Sequence, residues 1–317
     1  MLTLNHIYGV AGIYLLYTAW QGWRDQGNPK RMTTAAFWGL LGITFLFGEV
    51  IPPMYMGVLA IVIGLLAAGG GLATGTYPAV SKQLREEKAA LLKGRLFIPA
   101  LMIPVFTLLG TVGLKHVTLF GHALIGSENS TVISLGLACI IAFVFALAMT
   151  RVKITDAIQS ARSILDAIGW AAILPLLLAV LGGIFNKAGI GNVLAEVLTQ
   201  TLPLQYPWVA VLAYGLGMVT FAMIMGNAFA AFPVLTIGIA LPVLVQQHGA
   251  DPAPLAALGM LTGYCGTLMT PMAANYNIVP AALLELSNKN AVIRAQVMTA
   301  LPLMACNLVL MYWFIFL

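Results

Sequence analysis

Long, continuous apolar runs separated by short polar segments dominate the chain. Runs of this kind predict membrane-spanning helices, because the strands of a membrane barrel would alternate apolar and polar residues instead. In the front half they predict five uninterrupted spans, over about residues 6–23, 33–48, 54–71, 96–114 and 131–149.

The segment 153–169 has a different pattern. Apolar residues recur at helical spacing on one face, while Lys153, Asp156, Arg162 and Asp166 share the other face. This pattern predicts an amphipathic helix that lies along the membrane surface.

The back half combines spans with interruptions. A span over 170–186 leads to a break at Gly189-Ile190-Gly191, and the short apolar stretch 192–201 is placed at the membrane interface. Residues 206–246 form two apolar arms joined by three uncharged residues, which predicts a re-entrant hairpin. Two full spans would fit the same pattern.

A broken helix over 252–288 and a last span from about 295 to 317 complete the chain. We therefore predict an all-α polytopic membrane protein. Residues 1–152 form N-terminal scaffold helices, 153–169 the interfacial helix, and 170–317 a transport-type half.

Composition supports this class of protein. The 317 residues are 61% hydrophobic and 8% charged, whereas a soluble domain has roughly 25% charged residues. The sequence shows no nucleophile–base pair, acid pair or metal-ligand spacing, so we expect neither an enzyme nor a bound cofactor. It shows no nucleic-acid patch. Na⁺ or H⁺ remain candidate coupling ions.

The first candidate site is the break at Gly226, Asn227 and Ala228, which joins the two apolar arms. Glycine permits a tight tip, the asparagine amide offers donors and an acceptor, and a helix N-terminus after it favours an anion. The alternative is a helix–helix contact through small residues.

The second candidate site is the break that begins at Gly266 and carries Pro271, which cannot continue the helical hydrogen-bond ladder. Its uncharged oxygens suit a carboxylate or Na⁺, and they belong to Thr267, Thr270, Asn275 and Asn277. The alternative is a proline kink stabilised by threonine hydrogen bonds to the backbone.

The order of these features over 170–277 resembles the ion-transporter superfamily, which includes divalent-anion/sodium symporters. Gly182-Gly183, the Gly189-Ile190-Gly191 break, the Asn-tipped hairpin and the Gly-Thr-Pro-Asn break carry the resemblance. The tip here reads Gly-Asn-Ala where the superfamily has Ser-Asn-Thr, so the usual hydroxyls are missing. The resemblance implies secondary active transport of a small organic anion by an elevator-type movement.

The whole chain also resembles a bacterial family of two-component pyroglutamate (5-oxoproline) transporter subunits. Leu4-Asn5-His6, Asn28-Pro29-Lys30-Arg31 and the stretch 37–42 carry this resemblance. It implies a multi-pass protein of the bacterial inner membrane. Superfamily members normally have two inverted repeats, and only one set of breaks occurs here. A second membrane subunit with the complementary repeat is therefore expected, and a dimer of such pairs is compatible with this. A non-transporting scaffold or assembly subunit is the alternative function.

The distribution of basic residues predicts the orientation. With both termini outside, only Lys115 and Lys187 of the fifteen Lys and Arg residues fall outside, as the positive-inside rule requires. Cysteine-accessibility labelling should therefore find segments 24–31 and 82–95 on the inner face. Labelling of 82–95 from the outer face would reject the whole arrangement.

Overall fold

A computed structural model describes residues 2–76, 82–113, 118–119, 122–123 and 129–316. Lys115, one of the two basic residues predicted outside, lies beyond the described residues. The chain divides into two compact units, Met1–Gly169 and Trp170–Leu317.

Helices build nearly all of the described first unit. They are α1 (Leu4–Arg24), α2 (Arg31–Phe47), α3 (Pro53–Ala68), α4 (Lys82–Leu92), α5 (Phe97–Gly113), α6 (Ser130–Thr150) and α7 (Ile154–Ile168). A 3-10 turn over Lys93–Leu96 joins α4 to α5. Two strands of two residues, β1 (Thr118–Leu119) and β2 (His122–Ala123), pair antiparallel.

The second unit is also helical in its described part. It contains α8 (Leu174–Lys187), α9 (Ile190–Thr201), α10 (Pro207–Met225), α11 (Ala228–Leu235), α12 (Pro252–Leu268), α13 (Ile278–Leu283) and α14 (Ala291–Phe314). A π-helix over Thr236–Gln247 continues α11 without interruption. A 3-10 turn, Gly169–Ala172, precedes α8.

Five helices of the described chain are long and apolar enough to cross a membrane, which confirms a polytopic all-α protein. They are Glu86–Gly113, Ser130–Thr150, Pro207–Met225, Ala228–Gln247 and Ala291–Phe314. Arg31–Phe47 and Pro53–Ala68 are shorter apolar helices. Both arms of the expected hairpin are among the five, so length alone leaves the hairpin and the two full spans open.

Two segments differ from the sequence-based expectation. Residues 82–95 are one of the polar segments between the predicted spans, where the sequence predicts a loop, and they form α4 and the 3-10 turn instead. Their alternation of Lys, Glu and Leu favours a helix over a coil. The helix in the expected span 170–186 begins only at Leu174 and has 14 residues, about 21 Å at 1.5 Å per residue.

Close backbone contact joins α1 and α2 as an antiparallel pair. A Cβ atom added at Gly12 would lie 2.6 Å from Leu46 Cγ and 3.1 Å from the Gly42 carbonyl oxygen. At the far end, Gly22 faces Ala35. The absence of side chains at Gly12 and Gly42 therefore permits this approach, as in other membrane helix pairs.

The amphipathic helix α7 buries two charged residues of its polar face, Arg162 and Asp166, in the first unit. Arg162 Nη2 lies 3.4 Å from Asp25 Oδ2, and Arg162 Nε lies 3.8 Å from Asp166 Oδ2. Asp166 also accepts hydrogen bonds from Trp38 Nε1 and the Gly75 backbone N–H, both at 3.2 Å. These contacts connect α7 to α1, to α2 and to the segment after α3. We call this set of residues the α7 network.

Asp25 is the outermost carboxylate of the α7 network, just beyond the end of α1. Burial raises the pKa of its carboxyl, but hydrogen bonds from the Thr76 side chain and backbone and the charge of Arg162 outweigh burial. The pKa of Asp25 is therefore lower than usual, and the carboxylate stays ionised beside Arg162.

The second unit has its core among α10, α12, α14 and the π-helix. The largest fully buried side chains of the described second unit are Tyr214, Met218, Met225, Leu235, Ile239, Leu244 and Met311. Gly259, Gly263 and Gly266 form a stripe along α12 that faces α10. A Cβ atom at Gly266 would lie 2.4 Å from the Val219 carbonyl oxygen. This stripe brings the C-terminal turns of α10 and α12, which precede the two breaks, close together.

Candidate functional site

The tip between α10 and α11 is a true helix interruption. Gly226 ends α10 in the left-handed conformation, with φ 65°, which glycine adopts without steric cost. Asn227 is extended, with φ −153°, and its Oδ1 accepts a hydrogen bond from the Phe229 backbone N–H at 2.9 Å. Asn227 is therefore the N-cap of α11. Its side-chain N–H groups are not used in this cap.

The second interruption covers residues 269–277, between the end of α12 and the start of α13. Thr270 Oγ1 donates to the Met223 carbonyl oxygen at 2.9 Å and accepts from the Met272 backbone N–H at 3.3 Å. Met223 belongs to the last turn of α10. The break in one helix is thus hydrogen-bonded to the helix that leads into the other break.

Asn277 holds the second break together. Its Nδ2 donates to the Thr267 carbonyl oxygen at 3.0 Å and to the Thr270 carbonyl oxygen at 2.6 Å, and the side chain is fully buried. One amide group thus meets the Thr267 carbonyl in the last turn of α12 and the Thr270 carbonyl just beyond it, where the interrupted helix leaves carbonyls without regular partners. Because both N–H groups are used, the orientation of the amide is fixed. Its Oδ1 is buried and has no hydrogen-bond partner among the described residues.

Aromatic side chains connect the two breaks on their outer side. Phe229 packs edge-on against Tyr264, with ring centroids 5.9 Å apart, and Tyr264 lies 6.1 Å from Tyr276. Phe229 is 65% exposed. Sequence reasoning missed this row of rings. Phe229 stands two residues after Asn227, but Tyr264 and Tyr276 meet only once the second break has folded.

The structure separates the nine candidate residues by accessibility. Six are buried and form the wall of the breaks: Gly226, Ala228, Gly266, Thr267, Thr270 and Asn277. Pro271 and Asn275 are exposed, and Asn227 is half-buried. Thr267 Oγ1 donates to the Tyr264 carbonyl oxygen at 2.7 Å, which is the backbone hydrogen bonding expected of a stabilised kink. Asn227 and Asn275 are therefore the polar candidates that the rest of the chain does not fully bury.

The surroundings of the two breaks are nearly uncharged. Between 207 and 283 the sequence has one charged residue, Asp251, which caps α12 by accepting from the Ala253 backbone N–H at 2.9 Å. No cluster of three His, Cys, Asp or Glu residues suited to a metal occurs among the described residues. An anion at the tip would therefore meet amide groups and the N-terminus of α11, which carries about half a positive charge.

The family model described as "Protein of unknown function (DUF979)" matches residues 5–316 of the chain. The comparisons with curated proteins and with solved structures find no match.

The two asparagines of the second break provide a matched pair of variants. Asn277→Ala leaves two buried carbonyl oxygens unpaired and should lower the free energy of unfolding by about 2–4 kcal/mol. Asn275→Ala removes an exposed amide and should change it by less than about 0.5 kcal/mol. Denaturant unfolding of both variants in detergent tests this. Equal effects of the two substitutions would contradict the role given to Asn277.

Proposed function

We propose a transport role for this chain, which belongs to the family described as "Protein of unknown function (DUF979)". In this proposal it is the membrane subunit of a secondary active transporter for a small organic anion, and it is not an enzyme. The observation that carries the proposal is the contact between two helix breaks, through the Thr270–Met223 hydrogen bond and the Phe229–Tyr264 ring pair. Transporters place their substrate at such discontinuous helices.

The length of α14 supports a position of the second break deep in the membrane. Asn307 Nδ2 contacts Cys265 Sγ at 3.7 Å, and α12 ends one turn later at Leu268. On one side of Asn307, α14 continues over residues 291–306, about 24 Å; on the other side only 308–314 remain, about 11 Å. The start of the break is therefore level with the interior of α14 and not with either end.

This position also favours the re-entrant hairpin over two full spans. The last turn of α10 is bonded to the break through Met223, so the tip at Asn227 lies near the same level. A tip that crossed to the far membrane surface would meet water and would need no support from a neighbouring helix break.

The proposed substrate contacts follow from the accessible groups. A carboxylate would accept from the free amide N–H groups of Asn227 and from the first N–H groups of α11. The body of the solute would pack on the exposed Phe229 ring. The buried Asn277 Oδ1 is an acceptor suited to a coupling Na⁺ or to a proton donor. Pyroglutamate is the specific substrate that we propose to test first.

The proposal includes a second membrane subunit. In the described residues, non-helical polar breaks of this kind occur between α10 and α11 and between α12 and α13. Transporters of this type bind the solute between two related repeats. A different chain carrying the complementary repeat is therefore proposed as the partner. The proposed elevator-type movement in the bacterial inner membrane is that of the hairpin 206–246 and the broken helix 252–288.

A non-transporting scaffold is the second candidate function. The buried, self-contained hydrogen bonds of Thr267, Thr270 and Asn277 favour it, because they satisfy the second break without a ligand. It does not explain the accessible amides of Asn227 and Asn275, and solute uptake separates the two functions.

Purified chain should be reconstituted into liposomes, alone and with a co-purified membrane partner, and uptake of labelled pyroglutamate and other small carboxylates measured. We expect no uptake by the chain alone and uptake with the partner. Robust uptake by the single chain would contradict the two-subunit proposal. Absence of uptake with every co-purified partner would favour the scaffold.

In the active assembly, Asn227→Ala should reduce uptake about 10- to 100-fold, since a hydrogen bond to a charged group contributes about 1.5–3 kcal/mol. Thr270→Ala should also reduce uptake, because it releases the break from Met223. Asn290→Ala and Thr299→Ala, both exposed, are matched controls that should retain uptake. Normal uptake by Asn227→Ala and Thr270→Ala would remove the breaks from the mechanism.

A further inference from the structure

The orientation of α7 is the reverse of that of an amphipathic helix with its polar face in water. Arg162 and Asp166 are 6% and 9% exposed, whereas Ile154 and Ile164 are 58% and 40% exposed. The two charged residues are held by the α7 network inside the first unit. The exposed side of α7 therefore carries Ile154 and Ile164 beside the small polar residues Thr155 and Ser160, and the exposed isoleucines favour a partner that is not bulk water.

The α7 network fixes this orientation strongly. Arg162 lies between Asp25 and Asp166, and the two carboxylates also accept hydrogen bonds from Thr76, Gly75 and Trp38. Rotating α7 to present its polar face outward would leave Asp25 and the Trp38 N–H buried without these contacts. Removing one partner of a buried ion pair is strongly destabilising, because the other charge is left buried and uncompensated.

The chemistry around α7 is strongly basic. Arg151 and Lys153, immediately before α7, are exposed. The contacts of Asp25 with Thr76 and Arg162 bring the α1–α2 connection and the segment after α3 to α7. The exposed basic residues placed at this end by these contacts and by chain continuity are Arg24, Lys30, Arg31, Arg151 and Lys153.

Exposed acidic residues at this end are fewer. Asp156 is half-buried, and Asp25 and Asp166 are already engaged in the α7 network. An apolar helix face bordered by excess positive charge is complementary to one kind of surface, the layer of anionic phospholipid headgroups over acyl chains.

We propose that this end of the first unit binds anionic phospholipids, with α7 lying in the headgroup layer. Ile154 and Ile164 enter the acyl boundary, and Arg151 and Lys153 contact lipid phosphates. The α7 network holds the helix in this orientation. The ligand is the lipid headgroup, and the proposal is independent of any transport activity.

The test uses the full purified chain in detergent, titrated with phosphatidylglycerol or phosphatidylcholine while thermal unfolding is followed. Phosphatidylglycerol should raise the unfolding temperature at lower concentration than phosphatidylcholine. The double variant Arg151→Gln/Lys153→Gln should weaken the apparent phosphatidylglycerol affinity about 30-fold, roughly fivefold per basic residue. The double variant Lys289→Gln/Arg294→Gln, which removes two exposed charges from the second unit, is the matched control.

Equal effects of the two lipids on the wild-type chain would overturn the proposal. So would an unchanged phosphatidylglycerol affinity in Arg151→Gln/Lys153→Gln, or an equal loss in the control.

The role of the α7 network is tested by hydrogen–deuterium exchange across α7. Arg162→Ala should speed exchange of the α7 amides and remove the preference for phosphatidylglycerol. Arg162→Lys keeps the charge, and so provides a milder variant should Arg162→Ala fail to fold; it should give an intermediate result. Ser160→Ala, at an exposed α7 position, should behave as wild type. Wild-type exchange in both Arg162 variants would show that the network does not hold α7.

Discussion

A helix broken in an apolar environment must find hydrogen-bond partners for its own backbone, and this constraint organises the second unit. Each unpaired group in lipid costs several kcal/mol. For the break after α12, Asn277 supplies these partners by donating hydrogen bonds to the carbonyl oxygens of Thr267 and Thr270. Thr270 in turn bonds to Met223. Asn277 and Thr270 therefore stabilise the break itself, and only the remaining polar groups are left for the proposed solute.

The same constraint explains the small residues around the site. For Thr270 to reach the last turn of α10, the two helices must approach closely, and the glycine stripe on α12 permits this. The Cβ of a larger residue at Gly263 would come within 3.1 Å of the Ala228 Cβ. Gly226 and Ala228, which offer no side-chain chemistry, contribute by being small. The missing hydroxyls at the tip are thus consistent with tight packing of the tip against α12.

Sequence patterns predicted the helical membrane class, both breaks and the amphipathic period of α7, because each of these depends on local residue types. They could not predict which face of α7 is buried. That depends on the pairing of Arg162 with Asp25, 137 positions away. They also ranked the polar residues of the second break equally, whereas burial distinguishes Asn277 from Asn275. They did not predict the π-helix after α11 either. Pro233 and Pro242 interrupt the regular hydrogen bonding of that arm.

The central claim is that the tip and the second break border a water-accessible site for an anion. The most direct measurement is the rate at which a water-soluble thiol reagent labels Asn275→Cys and Phe229→Cys, in a background with Cys139, Cys265 and Cys306 replaced by alanine or serine. Val309→Cys, exposed on α14, is the lipid-facing control. We expect both test positions to be labelled faster than the control and to be protected by a small carboxylate in the active assembly. Labelling as slow as that of Val309→Cys, with no effect of carboxylate, would contradict the account.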